Sequence, residues 1–510
     1  MTKTLIKMIL LLPLIIFPVL IFFFFKNPKN AAKLHNPPSP PGLPFIGNLH
    51  QFDSCNPHLY LFKLAKKYGP LMSMKLGKVQ VLVVSSAKMA KEVLKTHDLA
   101  FCSRPPFLPW KKLTYGRLDI GFSPYNDSWR ELRKICVLHL FSNKQVRYFR
   151  TIREAEVFRM IKAIANSSSP GGENVINLSS IVLEMTSTLI CRIAFGMKPG
   201  EEESNKQRFD HLLLENQAML GGFFVSDYLP WFSWVDKLSG MLSRLDKTFK
   251  DMDEFSQGLI DKHLDSNNRD NMMNPNNILD LLIKLKEQRI CSIDLTWDHI
   301  KAVLYDIFVA GTDTSAAVIV WAMTALMKTP STMKKLRTEV RETVGKNGLV
   351  NEDDVSRLPY LKSVVKETLR LYPPVPLLIP RETMEECVIE GYTIPPETVV
   401  HINAWAIARD PEYWENTVEF FPDRFFINSS VDVLGQDFEI IPFGAGRRGC
   451  PGILIGLATV ELALANLVYF FDWELPQGFQ NEDIDTEASP GVTMHKKIPL
   501  RLVPRKYVWG

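Results

Sequence analysis

The sequence predicts a mainly α fold with small β-sheets, built as one large domain behind a single N-terminal transmembrane helix. Three observations predict it. Apolar residues three and four apart dominate from about residue 127 to residue 470, the spacing of helices with one buried face. Alternating or short apolar runs are confined to Met72–Leu76, Gln80–Val84, the stretch 387–401 and the C-terminus, enough for small sheets only. After residue 45 no linker, repeat or charge block marks a cut, although 510 residues would by length alone suggest roughly three domains. The expected division is an anchor at 1–25, a basic and proline-rich hinge at 26–44 and one domain at 45–510.

Met8 to Phe25 carries no charge. With Leu5 and Ile6 it makes a helix of about 30 Å at 1.5 Å per residue, close to the thickness of a bilayer core. Pro13 and Pro18 would kink it, which lipid-embedded helices tolerate. A cleavable signal peptide is the alternative, but its apolar core should end at small residues, and this one ends in Phe22–Phe25 and Lys26. Lysines flank both sides (Lys3 and Lys7; Lys26, Lys29 and Lys33), so charge alone does not orient the anchor. Pro37-Pro-Ser-Pro-Pro-Gly-Leu-Pro44 reads as a stiff, extended spacer.

Met72–Leu76 and Gln80–Val84 form a short hairpin. Helices are expected at 127–140, 144–165, 177–195, 206–220, 235–265, 297–327, 331–344, 358–371 and 452–470. Thr296 is a candidate N-cap of the 297–327 helix and Asp298 suits its first turn. From Ala302 to Met327 its only charges are Asp306 and Asp313, so a second membrane span is the alternative. The polar Gly311-Thr-Asp-Thr-Ser315 at mid-helix favours a buried central helix facing a cavity, since such a cluster is costly without partners. Gly311 would loosen the helical ladder and Thr314 would bond back to a carbonyl, opening a local bend. On the 358–371 helix Glu367 and Arg370 share a face, which by itself means no more than a solvated pair of about 0–1 kcal/mol.

A net charge of +4 with dispersed basic residues gives no footprint for nucleic acid. Seven cysteines (55, 102, 136, 191, 291, 387 and 450) show neither disulfide nor metal-site spacing, and six read as ordinary reduced thiols. Sequons at Asn166, Asn177 and Asn428 are accordingly expected to be unglycosylated.

Cys450 is the exception. It lies in Phe443-Gly-Ala-Gly-Arg-Arg-Gly-Cys-Pro-Gly452, just before an apolar helical run. Gly444, Gly446 and Gly449 would let the backbone pass flat beneath a porphyrin, and Pro451 fits a first helical turn. A helix N-terminus with Arg447 and Arg448 would favour the thiolate that ligates haem iron. Gly444 to Gly449 also satisfies G-x-G-x-x-G after a strand-like run (Phe438 to Phe443) and ahead of Asp472, so dinucleotide binding and a plain turn stay open beside it. Only about 60 residues follow, too few for a second βαβ half, and that reading gives Cys450 no task.

Five motifs in order resemble the cytochrome P-450 family of haem-thiolate monooxygenases. Phe443, Gly446, Arg448, Cys450 and Gly452 match F-x-x-G-x-R-x-C-x-G, Glu367-Thr-Leu-Arg370 matches E-x-x-R, and Ala310 to Ser315 matches the oxygen-binding motif. Trp129-Arg-Glu-Leu-Arg133 matches W-x-x-x-R, while Phe421-Pro-Asp-Arg-Phe425 resembles F-x-P-E-R-F with Asp for Glu and closer spacing. The chain is most similar to plant microsomal members. The resemblance implies the P-450 fold, haem b on Cys450 beside Phe443, and a propionate clamp of Trp129, Arg133, Arg381 and Arg448. It also implies that Thr314 donates to iron-bound oxygen, that Asp313 relays protons, and that Glu367, Arg370 and Arg424 form a structural network holding the cysteine loop. It further implies a single-pass endoplasmic reticulum protein with its catalytic domain in the cytosol, fed from NADPH by a separate NADPH-cytochrome reductase docking near Arg447.

Substrate contacts are expected from Phe107, Leu108, Trp110, Leu113, Val375, Leu377, Leu378 and Val492–Met494, with Phe223, Phe224, Tyr228, Trp231, Phe232 and Trp234 at an entrance or the bilayer surface. This apolar set, with no charged group placed over the iron, suits a neutral lipophilic plant metabolite such as a terpenoid, phenolic or alkaloid. Gln436–Glu439 and Thr493–Lys497 resemble a branch with aldoxime-oxidising members, so an aldoxime is the specific alternative. A haem-thiolate isomerase or dehydratase that uses no dioxygen, and a haem carrier or sensor without turnover, are the rival activities. For both, the Ala310–Ser315 motif would be idle.

Overall fold

The computed structural model describes residues 35–167, 174–197, 206–265, 277–346, 348–427 and 430–509. The expected anchor and the basic part of the hinge lie outside the described residues. The proline-rich segment is docked. Ser73 donates from its N–H and hydroxyl to the carbonyls of Pro38 and Pro37 (2.8 and 3.0 Å), and Asn48 Nδ2 donates to Pro40 and Pro41.

The principal helices are α1 (Pro57–Tyr68), α2 (Asp127–Ile135), α3 (Arg150–Asn166), α4 (Leu178–Phe195), α5 (Lys206–Leu220), α6 (Met241–Leu264), α7 (Ile278–Glu287), α8 (Trp297–Lys328), α9 (Pro330–Val344), α10 (Pro359–Leu371) and α11 (Ile453–Phe470). The strands are β1 (Leu71–Leu76), β2 (Val79–Val84), β3 (Ile176–Asn177), β4 (Arg381–Glu382), β5 (Cys387–Ile389), β6 (Tyr392–Ile394), β7 (Val399–Ile402), β8 (Phe471–Glu474) and β9 (Arg501–Lys506). They form sheets in the orders β1-β2-β7-β4, β3-β9-β8 and β5-β6. The mainly helical class with small sheets and the element positions thus follow the expectation, with local differences. The 127–140 segment is α-helical to Ile135 and then makes a π turn over Cys136–Leu140. The 144–165 and 235–265 segments each break once, at Phe149 and at Ser239–Gly240. Phe438–Phe443 is turn and coil instead of a strand, which removes the strand that a dinucleotide fingerprint requires.

α8 is the axis. Its N-terminus closes in a capping box, Thr296 Oγ1 accepting from His299 N–H. The helix then runs unbroken for 32 residues, about 48 Å, packed by α4, α10 and α11. α4, α8 and α11 are each apolar and long enough to cross a membrane, yet each is mostly buried against the rest of the chain. Their side chains build two core clusters that meet along α8: Ala316–Met327 with α10 and α11, and Ile300–Val309 with α4 and α7. α8 is therefore a core helix.

Candidate haem-thiolate site

The cysteine loop owes its shape to hydrogen bonds among its own backbone groups and to a carboxylate from far away in sequence. Cys450 N–H donates to Phe443 O (2.9 Å) and Gly449 N–H to Gly446 O (3.0 Å). Gly446 sits at φ +67°, and a Cβ there would lie 2.3 Å from Leu94 O, so no other residue fits. Asp98, buried, accepts from Arg447 N–H and Nη1 (2.9 and 3.0 Å) through Oδ2 and from Arg381 Nη1 (2.7 Å) through Oδ1. No motif marks Asp98; only its closeness in space to Gly446 reveals it.

Two expectations about this loop are corrected. α11 begins at Ile453 with Gly452 as N-cap, so Pro451 precedes the helix and Cys450 lies just outside it. Arg447 and Arg448 do not serve the sulfur. Arg447 is spent on Asp98, and Arg448 donates to the carbonyls of Cys102, Ile120 and Ser123 (2.7, 3.2 and 2.6 Å). Burial pushes the Cys450 thiol up, opposed by the Gly452 N–H and by the Arg133 charge. The sulfur would therefore ionise by bonding a metal, which deprotonates a coordinating thiol outright.

The expected propionate clamp divides. Trp129 Nε1–H donates to Ile120 O (3.0 Å) under the Arg448 guanidinium, which stands 4.0 Å from its ring centroid. Arg381 bridges Asp98 and Ala445 O. The Arg133 guanidinium alone makes no hydrogen bond or ion pair with a described residue, although the residue is half-buried and burial works against its charge. An uncompensated guanidinium beside Cys450 is costly unless an acidic group meets it, and the planar fork suits a carboxylate. Phe443 packs against the core beside this loop.

On α8, within an otherwise buried run, Asp306, Ala310, Gly311 and Thr314 are the accessible residues between Lys301 and Met327. Their spacing (i, i+4, i+5, i+8) places them on one stripe, so the helix opens a single face onto an internal space. Thr314 Oγ1 donates to Ala310 O (2.8 Å), the back-bond expected from the sequence. Gly311 does not loosen the ladder, which is continuous; its missing Cβ admits Ile190 of α4, whose Cδ1 would stand 2.7 Å away. Asp313 lies off the stripe, buried, with Oδ1 2.7 Å from His495 Nε2. Asp306, one of the two charges the sequence shows between Ala302 and Met327 of this helix, lies on the stripe: its Oδ2 accepts from Ile120 and Gly121 N–H (2.7 and 3.1 Å), and burial beside Asp119 raises its carboxyl well above the usual range.

Glu367, Arg370 and Arg424 meet as expected. Arg370 Nε and Nη2 grip both Glu367 oxygens at 2.8 Å, Arg424 Nε adds a bond at 3.2 Å, and Phe421 N–H adds one at 2.9 Å. Arg370 also donates to the carbonyls of Ala408, Thr417 and Glu419. Trp414, beneath Arg370, carries the network onward by donating to Glu439 O, just upstream of the cysteine loop. Asp423 turns away to Lys335 and Tyr360.

Of the expected substrate contacts, Phe107, Leu108, Val375, Leu377, Leu378 and Val492 are partly accessible, and Val492 Cγ2 closes on Gly221. Trp110, Leu113, Thr493, Met494 and Phe224 are buried, with the Trp110 indole donating to Leu220 O and Met494 O accepting from Trp321. These five are packed into the core, so Trp110, Leu113, Thr493 and Met494 are not open contact residues and Phe224 does not lie at an open entrance.

Residues 37–501 match the Cytochrome P450 family. The chain is 47% identical over 501 residues to a 6,7,8-trihydroxycoumarin synthase of Pastinaca sativa, covering 97% of this chain and 98% of the relative. It is 47% identical over 509 residues to a 5-OH-xanthotoxin synthase of the same plant (97% and 99% covered), and 47% identical over 488 residues to a strychnine-11-hydroxylase of Strychnos nux-vomica (94% of each). A zebra fish cytochrome P450 solved with progesterone superposes with a TM-score of 0.74 at 25% identity, covering 88% of this chain and 99% of that one. With Cys450, the open stripe of α8 and the Glu367 network arranged as described, the chain belongs to the cytochrome P450 family and is a monooxygenase.

Proposed function

We propose that the chain oxidises a neutral, fused-ring plant specialised metabolite, of the phenolic or alkaloid kind, at the stripe of α8 between Asp306 and Thr314. The observation that carries this reading is the stripe itself: one helix face open amid a buried core, with Phe107, Leu108, Val375, Leu377, Leu378 and Val492 as the accessible apolar groups expected beside it. Apolar walls reward a flat, uncharged ring system at roughly 25 cal/mol per Å² and give a carboxylate little to bond. The coumarin, furanocoumarin and strychnine chemistry in the relatives' names supports the same class. An aldoxime remains the specific alternative.

Haem b held by Cys450 would supply dioxygen activation, its thiolate ligand favouring O–O cleavage. The protein's residues do the rest. Arg133 would hold an acidic group of the haem, while the Asp98–Arg447–Arg381 cluster and the Glu367 network hold the loop. The Thr314 hydroxyl, back-bonded to Ala310 O, keeps its oxygen free to accept, and rotation of its hydrogen would let it donate toward the stripe. Asp313, buried next to it in sequence, is placed to pass protons inward. Electrons would come from NADPH through a separate reductase on the cysteine side, where the Arg447 side chain is 48% exposed.

Membrane attachment is part of the proposal. Trp231, Trp234 and Leu238 are 70%, 55% and 77% exposed, and Leu43 and Phe45 are 50% and 57% exposed. Lys78 N–H to Tyr228 O and Gly77 N–H to Ile46 O bring these segments together, so the exposed apolar groups adjoin the end of the chain that leads to the expected anchor. The function is tested by spin-state titration with coumarins, alkaloids and aldoximes. A low-to-high-spin shift with the first two and turnover with NADPH and reductase are expected; a shift with carboxylates alone refutes the pocket reading. In the same assay Cys450→Ala should lose the red-shifted Soret band of the reduced carbon-monoxide complex, whereas Cys136→Ser should keep it.

A further inference from the structure

We propose that His495 is the proton port of this site, passing protons from water to the buried carboxyl of Asp313. The inference rests on the monooxygenase reading only in that the reaction consumes protons behind Thr314. His495 Nε2 lies 2.7 Å from Asp313 Oδ1, the His495 side chain being 38% exposed and the Asp313 side chain 5%. The other carboxylate oxygen, Oδ2, and the hydroxyl of the neighbouring Thr312 are both buried without a hydrogen-bond partner. A carboxylate bonded to a partly exposed imidazole on one oxygen and left buried without a partner on the other is costly as a purely structural device. It is what a relay needs, since one oxygen receives a proton and the other delivers it.

The loop that carries His495 is pinned independently of this pair. Trp321 Nε1–H donates to Met494 O (2.7 Å), Met494 N–H to Pro374 O (2.8 Å), and Ser489 N–H to His495 O (2.8 Å). The imidazole is thus held against α8 by bonds it does not itself make, and its own bond is free to break and re-form. Among the described residues Asp313 is the one charged group from α8 that acts on it; on its own segment Lys496 is paired with Asp485 and Lys497 with Glu487. The Asp313 contact raises His495 above the ordinary histidine value despite burial. The imidazolium therefore persists to higher pH than that of an ordinary histidine, which favours its acting as a donor.

The transfer is a proton movement with no redox partner. The Nε2–H bond breaks as the Oδ1–H bond forms, leaving neutral imidazole and neutral carboxyl. Rotation about Cβ–Cγ turns the acidic hydrogen inward, and once it is given up the carboxylate returns. Water then reprotonates the imidazole.

Two measurements test this on the full haem-loaded protein. In 15N-histidine NMR of the diamagnetic ferrous carbon-monoxide complex, one imidazole signal should disappear in His495→Gln. That signal should titrate above the ordinary value in the parent protein and move down in Asp313→Asn. With 7-ethoxycoumarin as probe, His495→Gln keeps a donor to Asp313 but cannot release its proton. Product per NADPH should fall roughly tenfold, in the low range for general acid catalysis. Cumene-hydroperoxide-driven turnover should stay within about twofold, because that route needs no proton delivery for O–O cleavage. Lys497→Ala should match the parent in both. An equal loss with NADPH and with peroxide would make His495 a structural latch and overturn the proposal. So would unchanged coupling in His495→Gln, or a titration indifferent to Asp313→Asn. Loss of the carbon-monoxide band would instead indict the haem site itself, and retention of the band separates the two failures.

Discussion

Asp306 and Asp119 bury two carboxyl groups against each other, and the resulting conflict makes a testable signature. Asp306 is raised first by burial and then by the Asp119 charge, and Asp119 is raised by burial in turn. The oxygens are not idle: Asp306 Oδ2 accepts two backbone N–H groups from Ile120 and Gly121, and Asp119 Oδ2 accepts one from Phe122 at 2.6 Å. The pair pins the 119–123 loop to α8 beside the open stripe. A carboxyl raised in the folded state binds its proton there more tightly than in the unfolded chain. Stability therefore falls as pH climbs from the ordinary carboxylate value near 3.8 through the raised one. Asp306→Asn keeps an acceptor for both amides, adds a donor toward Asp119 and removes the titration. Its melting temperature should equal or exceed the parent's at pH 8, with the difference shrinking toward pH 5. Asp306→Ala strands both donors and should cost about 1–3 kcal/mol for each. A difference independent of pH for Asp306→Asn would show that the pair is not sharing a proton. Asp306 is visible in the sequence only as one of two charges in an apolar helix, because its partners lie 185 residues or more away.

At the scale of elements, the long amphipathic or apolar helices are legible because their signal is internal: a capping residue, a period and a stop. What escapes the sequence are elements whose reason is elsewhere. α7 (Ile278–Glu287) is short, and beyond its Asn277 cap it is held by packing against α4 and α8. α1 begins at Pro57 behind Asn56 and packs only one narrow face. The α4–α8 crossing likewise turns on an absent atom. The sequence suggests backbone freedom at Gly311, but its role is to let Ile190 approach, since a Cβ would lie 2.7 Å from Ile190 Cδ1. Gly311→Ala should therefore destabilise by about 1–3 kcal/mol, the usual cost of overpacking. Ile190→Val removes the colliding methyl, so the double variant should recover most of that loss in chemical denaturation. Strict additivity of the two changes would mean that Gly311 serves the backbone after all.

For the whole molecule, the site is held from outside its own motifs. Asp98, Trp414 and the carbonyls of 102–123 fix the cysteine loop, and none of them sits in a recognisable pattern, so the sequence displays the ligand but not its scaffold. The same asymmetry holds for the surface. The sequence suggests an entrance or bilayer surface for Trp231 and Trp234, and the fold leaves them, Leu238, Leu43 and Phe45 exposed on segments tied together through Gly77 and Lys78. Separate exposed apolar groups are ordinary, but a cluster near the end that leads to the expected anchor is the surface proposed to meet the bilayer. Aromatic rings favour the headgroup region, where an apolar body and a polar edge are both accommodated. Protein lacking residues 1–34 should therefore still sediment with neutral phosphatidylcholine vesicles. Replacing Trp231, Trp234 and Leu238 together by Glu should abolish that binding while leaving the carbon-monoxide spectrum intact, since none of the three is buried. Vesicle binding that survives the triple replacement would place the membrane contact on another face and leave these side chains as ordinary surface.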